Sequence, residues 1–205
     1  IKVIFVLPSL RAGGAERVMS FLACNLNNDI FDASLLITGS NKDQSYTITK
    51  NTPVHFLNKS RVKYALPAMA IHLFRQSPHI VVGAIGHINI ALSILAIFFA
   101  KMKFIGRETT VVGAQYESRN KAAWKIKIPD LRPMTLDKII CQSKDMKNDL
   151  ITNFKYPSHK IVTINNPVTN KFKLKDSTVI KNTVTQLITV GRLAKVKGHM
   201  RILNI

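Results

Sequence analysis

The chain has 205 residues, 46% of them apolar, with 30 Lys and Arg against 11 Asp and Glu, for a formal net charge of +19. The apolar share is that of a globular protein with a sizeable core, and the length limits the fold to one large domain or one and a half. The cationic excess calls for an anionic partner, a nucleotide or a lipid headgroup, and no zinc-finger or RRM signature accompanies it to indicate nucleic acid.

Residues 2–7 are an apolar run ended by Pro8, the pattern of a strand buried on both faces and not that of a signal peptide. Residues 15–26 read as a helix, with Val18, Phe21, Leu22 and Leu26 at helical spacing. Residues 33–38 are a second strand, closed by Gly39-Ser40-Asn41, and 54–57 a shorter third. Residues 64–75 form a helix in which Pro67 is tolerated only in the first turn. Residues 80–100 carry no formal charge and approach the length of a membrane span. Gly83, Gly86, His87 and Asn89 interrupt them, so the reading is a strand over 79–84 and a helix over 90–102.

A strand follows at 104–107, then a basic helix over 118–128 ended by Pro129. Residues 138–142 are a strand, and Ser143 is the N-cap of a helix reaching Phe154, with Asp145 in its first turn. Residues 160–164 form a strand, followed by the turn Asn165-Asn166-Pro167. Residues 171–182 are polar and aperiodic, as in a linker, and 184–190 begin a further strand. Cys24 falls in a helix and Cys141 in a strand, both expected as buried free thiols of a reducing compartment. The alternation of strands and helices predicts an α/β fold with a doubly wound parallel Rossmann-like sheet over residues 1–170. Residues 171–182 are then the linker, and 183–205 the start of an incomplete second Rossmann-like domain.

Two strand–loop–helix units, at residues 3–18 and 187–200, bracket the chain. In the first, Gly13 and Gly14 permit a tight turn and close approach of a ligand to the backbone, and the helix behind them offers unpaired N–H groups. Arg11 adds a charge-assisted contact, and Glu16 either faces the ligand or complements the helix dipole. The spacing is neither GxGxxG nor a Walker sequence. In the second unit, Arg192 and Lys197, flanked by Gly191 and Gly198, either clamp a pyrophosphate or form a basic surface turn.

His87 follows a strand on the side where such sheets bind ligands, and it is a hydrogen-bonding group, a proton acceptor or a partly buried structural histidine. Arg107 and Glu108 either bond to each other or meet a hydroxylated substrate. Asn166 lies in a turn that lines a crevice or only ends the domain. His55 and His72 pack in apolar stretches; His79, His159 and His199 have no supporting context. No GxSxG elbow and no DxD pair for a divalent metal is present.

Together LPSLRAGGAERV, SKDMKNDL, INNPV and VGRLAKVKG resemble the GT-B-fold retaining glycosyltransferases of family four. The resemblance implies two Rossmann-like domains with the acceptor held mainly by the first and a nucleotide-sugar mainly by the second. It implies that Gly13 and Gly14 approach the donor phosphate, that Arg192 and Lys197 bind it, and that Ser143 and Asn166-Pro167 are structural. The family's paired glutamates, E-x7-E, are absent, since no Glu follows Glu117. The expectation is therefore a fragment of a metal-independent glycosyltransferase that adds a sugar to a glycan, lipid-linked, for bacterial surface polysaccharide or glycoconjugates. It would be cytoplasmic and peripheral on an anionic inner membrane surface. The alternatives are a non-catalytic acceptor- or membrane-binding remnant, a sugar-nucleotide epimerase of the same architecture, and a nucleic-acid binder motivated by charge alone.

Overall fold

The computed structural model describes residues 1–42, 44–110, 130–167 and 200. The expected helix over 118–128, the linker over 171–182 and the strand over 184–190 lie outside them. Residues Ile1–Pro167 form one compact unit.

Among the described residues, seven parallel strands make its sheet: β1 (Lys2–Leu7), β2 (Asp32–Ile37), β3 (Val54–Phe56), β4 (Ile80–Ala84), β5 (Lys103–Arg107), β6 (Lys138–Cys141) and β7 (Ile161–Thr163). Their order is β3-β2-β1-β4-β5-β6-β7, which reverses direction at β1, as a doubly wound sheet requires. The helices are α1 (Gly14–Asn25), α2 (Val62–Gln76), α3 (Gly86–Ala96), the single turn α4 (Arg132–Thr135) and α5 (Lys144–Thr152).

Alternation along β1 explains the two-sided core. Ile4 and Val6 join Leu36, Val81 and Phe104 beneath α2 and α3, where Met69, Leu73, Ile88 and Leu92 are buried. Val3, Phe5 and Leu7 point the other way, to Leu35, Ile37 and the α1 residues Met19 and Ala23. Successive side chains of a strand face opposite sides, so a strand covered on both must be apolar throughout. Each such Leu, Ile or Val contributes about 1.5–3 kcal/mol on burial.

Strand boundaries shift from the sequence reading by a residue or two, but two helices differ in substance. Pro67 lies inside α2, in its sixth position and not its first turn. Interior proline removes the hydrogen bond to the carbonyl four residues back, at a cost of about 3 kcal/mol. Burial of Ala65, Met69 and Leu73 on the sheet side offsets that cost. Helix α3 starts at Gly86, four residues before the expected start, and ends at Ala96. Its buried face runs Ile88, Asn89, Ala91, Leu92 and Leu95, and the polar Asn89 within it disguises the first turn as loop. The uncharged segment over 80–100 is thus β4 plus α3, and no helix among the described residues is long and apolar enough to cross a membrane. The Ser143 cap stands as expected: its Oγ accepts a hydrogen bond from the Met146 N–H at 3.3 Å.

Candidate functional site

A cleft of about 570 Å³ opens outside the carboxyl ends of β1 to β4. This is where ligands collect in doubly wound sheets, because the connections diverge at the point of reversal. Pro8, Ser9 and Arg11 reach it from β1, and Thr38, Gly39 and Ser40 from β2. Lys59, Ser60, Arg61, Val62 and Lys63 come from the β3–α2 connection, and His87 from the first turn of α3.

Backbone hydrogen bonds bind these loops into one wall. Gly39 N–H donates to the Pro8 carbonyl at 3.0 Å, Asn58 N–H to the Gly39 carbonyl at 3.1 Å, and Lys59 N–H to the Thr38 carbonyl at 2.9 Å. A Cβ on Gly39 would stand 2.7 Å from the Pro8 carbonyl oxygen, so the residue must be glycine for the β1 and β2 loops to meet. Ile85, the N-cap of α3, has φ 81°. A β-branched residue in that region stores strain of about 1–3 kcal/mol, and such strain is characteristic of sites where a turn must aim a helix.

Among the described residues, Arg11, Lys59, Arg61 and Lys63 line the cleft and no Asp or Glu does. Helix α2 begins there with no acidic residue in its first turn, and the Arg61 side chain does not cap it. The N–H groups of its first turn and its dipole therefore add positive potential to that of the side chains.

The glycine loop lies in the same β1–α1 connection but outside the cleft lining. Gly13 N–H donates to Tyr46 Oη at 2.8 Å, and Tyr46 O–H donates back to the Gly13 carbonyl at 2.7 Å. Gly13 is extended, with φ −154°. A Cβ there would lie 2.2 Å from Glu16 Oε2, the end of a flexible side chain that can turn aside, so neither room nor backbone conformation requires glycine at this position. A Cβ on Gly14 meets nothing within 4 Å.

Glu108 belongs to a second, buried cluster at the ends of β5 and β6, which the exposed Asn166 joins at its edge. Arg107 and Glu108 do not pair with each other. Glu108 Oε1 accepts from Arg132 Nη1 at 2.7 Å and from Asn89 Nδ2 at 3.1 Å. Arg107 Nη2 donates to Asn166 Oδ1. Asn166 Nδ2 in turn donates to Gln142 Oε1 at 2.9 Å, and Gln142 Nε2 to the Glu108 carbonyl at 3.0 Å. Gly83 and Gly106, register partners in β4 and β5, leave the slot for Asn89: a Cβ on either would come within 2.7 Å and 3.2 Å of its amide group.

Arg132 also grips Asp130 through Nε and Nη2, each at 2.8 Å, and Tyr156 O–H donates to Asp130 Oδ2. Burial pushes the Asp130 carboxyl up, but the hydrogen bonds from Arg132 and Tyr156 outweigh it and hold it below the usual carboxylate range. Burial likewise raises the Tyr156 phenol and lowers the Arg107 guanidinium, whose Nη1 is buried without a hydrogen-bond partner.

Of the residues expected from sequence to contact ligands, Arg11 and His87 line the cleft, Gly13, Gly14 and Glu16 adjoin it in the loop, Glu108 sits in the buried cluster and Asn166 is exposed at its edge. Arg192 and Lys197, with Gly191 and Gly198, lie outside the described residues. Sequence reasoning missed Lys59, Ser60, Arg61 and Lys63 as a site. Their signal was position alone, a basic strand-to-helix connection on the ligand side of a parallel sheet. His55 is exposed, its ring 4.8 Å from that of His72. Cys141 is buried and free as expected, whereas Cys24 is only partly buried.

The strand order, with a cleft at the reversal, defines a Rossmann-like domain. The model of Glycosyltransferase Family 4 matches residues 12–171, and the chain belongs to that family. Among solved structures, it is similar to an apo lipopolysaccharide outer core galactosyltransferase, WaaB, at 14% identity and TM-score 0.60, covering 82% of this chain and 46% of that one. It is similar to Anabaena Alr3699/HepE in complex with UDP at 14% identity and TM-score 0.58, covering 82% and 44%. A UDP-GlcNAc 2-epimerase from Neisseria meningitidis bound to UDP-GlcNAc is similar at 17% identity and TM-score 0.57, covering 81% and 46%. At such identities the likeness is one of GT-B fold, and the chain spans less than half of each of these structures. Comparison with curated proteins finds no match.

Proposed function

We propose that this chain is the acceptor-side half of a glycosyltransferase that moves a sugar from a nucleotide-sugar to a glycan acceptor, lipid-linked, in bacterial surface polysaccharide or glycoconjugate synthesis. The observation that carries the reading is a cationic cleft at the sheet's reversal point in a domain of this family. In the reaction the bond between the anomeric carbon and the donor diphosphate breaks, and an acceptor hydroxyl oxygen forms the new bond as its proton is lost. Charge grows on the departing diphosphate, where fixed cations and N–H groups act most strongly. Gly13, Gly14, Arg192 and Lys197 are assigned to the donor phosphate, and the cleft bearing Arg11 and His87 to the acceptor. The reading includes no metal.

A peripheral membrane position is part of the proposal. Tyr64, Ile71 and Phe74 are 56%, 52% and 73% exposed along α2, with Lys63 and Arg75 beside them. An apolar stripe flanked by cations fits the headgroup boundary of an anionic bilayer. The second reading is the epimerase, favoured by the fold shared with the Neisseria meningitidis enzyme. Incubation of the longest protein containing this chain with radiolabelled nucleotide-sugars and lipid-linked acceptors tests the proposal. Label recovered in the acceptor supports transfer; an epimerised nucleotide-sugar without acceptor label favours the second reading; unchanged donor overturns both.

A further inference from the structure

We infer that the cleft recognises a phosphate group on its ligand, so that the acceptor is a phosphorylated sugar or glycan; this rests on the acceptor-side reading above. Lys59, Arg61 and Lys63 line one cavity, and no carboxylate lines it among the described residues. Among the described residues, none of the three forms an ion pair. Elsewhere the fold does pair its cations: Arg132 with Glu108 and Asp130, and Lys103 with Asp137. Gathering like charges without counter-charges destabilises a compact state through self-repulsion, and an anionic ligand removes that cost.

The shape of the donor set favours phosphate over carboxylate. A carboxylate is satisfied by a single guanidinium fork, whereas phosphate presents three strong acceptor oxygens and up to two charges. Here a guanidinium and two ammonium groups are interleaved with the hydroxyls of Ser9, Ser40 and Ser60. The backbone bond from Lys59 N–H to Thr38 fixes the start of this connection against β2. Lys63 Nζ lies 4.7 Å from the Tyr64 ring centroid, a surface contact that leaves its charge uncompensated. The volume, about 570 Å³, holds a sugar together with its phosphate. A neutral glycan would leave three cations unneutralised.

The phosphate could belong to a lipid diphosphate headgroup or to a soluble sugar phosphate, and the test has an arm for each. The 205-residue chain is titrated calorimetrically with inorganic pyrophosphate, and in parallel sedimented with phosphatidylcholine vesicles with and without polyprenyl diphosphate. The comparison variants are Arg61→Gln/Lys63→Gln and, as a charge-matched control outside the cleft, Lys101→Gln/Lys144→Gln, with far-UV circular dichroism confirming each fold. Pyrophosphate affinity is expected to fall at least about tenfold in the cleft variant and to change little in the control. Release of diphosphate-bearing vesicles by the same variant points to the lipid source; loss of pyrophosphate binding alone points to the soluble one. Equal loss in both variants, or no pyrophosphate binding, overturns the inference. Should Arg61→Gln/Lys63→Gln not fold, Lys59→Gln is read in its place. Absence of sugar transfer would defeat the transferase reading while leaving this binding result intact.

Discussion

Glu108 Oε1 and Arg132 Nη1 stand 2.7 Å apart, with 7% and 8% of their side chains exposed. They come from separate parts of the chain and join β5 to the turn that precedes β6. Breaking such a pair leaves the remaining charge buried without compensation, at a cost of about 3–5 kcal/mol. Arg132→Leu removes the partner of both Glu108 and Asp130 and is expected at the upper end. Glu108→Gln keeps the shape and the Asp130 contact and is expected to cost less. Urea denaturation reads both, and a change within about 0.5 kcal/mol for Arg132→Leu would contradict the assignment.

The same cluster sets an acid limit on stability. The Asp130 carboxyl is held below its ordinary value, so the unfolded state takes up the proton first as pH falls. Its contribution is present above the unfolded pKa, about 3.9, and is lost as pH drops through the folded value. Asp130→Asn should therefore flatten the acid limb of a stability–pH curve below about pH 4. An unchanged limb would contradict the hydrogen-bond assignment.

His72 adds a slope at milder pH. Burial lowers its pKa, with smaller contributions from His55 and Lys2, and its Nε2 is buried without a hydrogen-bond partner. The native state favours neutral imidazole while the unfolded chain protonates near pH 6.5, so stability declines as pH falls below about that value. Thermal melts across the interval should show a shallower decline for His72→Gln; a steeper one would reverse the sign.

The two thiols should react very differently. Burial, with Glu108 adding to it, pushes Cys141 up to about 11, and the residue is 0% exposed. Cys24 is partly exposed on α1. Alkylation follows the accessible thiolate. Mass spectrometry after brief iodoacetamide treatment near pH 8 should find label on Cys24 and not on Cys141.

The exposed face of α2 carries the membrane part of the proposal. Phe74→Ser combined with Ile71→Ser removes apolar area worth roughly 3 kcal/mol if both side chains insert. Vesicle binding should fall by a factor of a hundred or so, on the order that this energy implies. Retained binding would assign any membrane affinity to charge alone.

The strands of the sheet were legible because central parallel strands are apolar on both faces, as in β1, β2 and β4. The start of α3 was not, because Asn89 occupies a slot opened by Gly83 and Gly106 on two other strands. The Glu108–Arg132 pair and the Tyr46–Gly13 contact join residues 24 and 33 positions apart. No local pattern encodes such distances. Arg11 and His87 could be placed from sequence because each directly follows a recognisable strand. Lys59 to Lys63 could not, because backbone bonds between the β2 and β3 ends bring that connection into the cleft.

In the proposed function the cleft beside α2 holds the acceptor. Steady-state transfer by the longest protein containing this chain, comparing wild type with Arg61→Gln/Lys63→Gln, tests it most directly. The acceptor KM is expected to rise about tenfold, with the donor KM unchanged. A raised donor KM with an unchanged acceptor KM would contradict it.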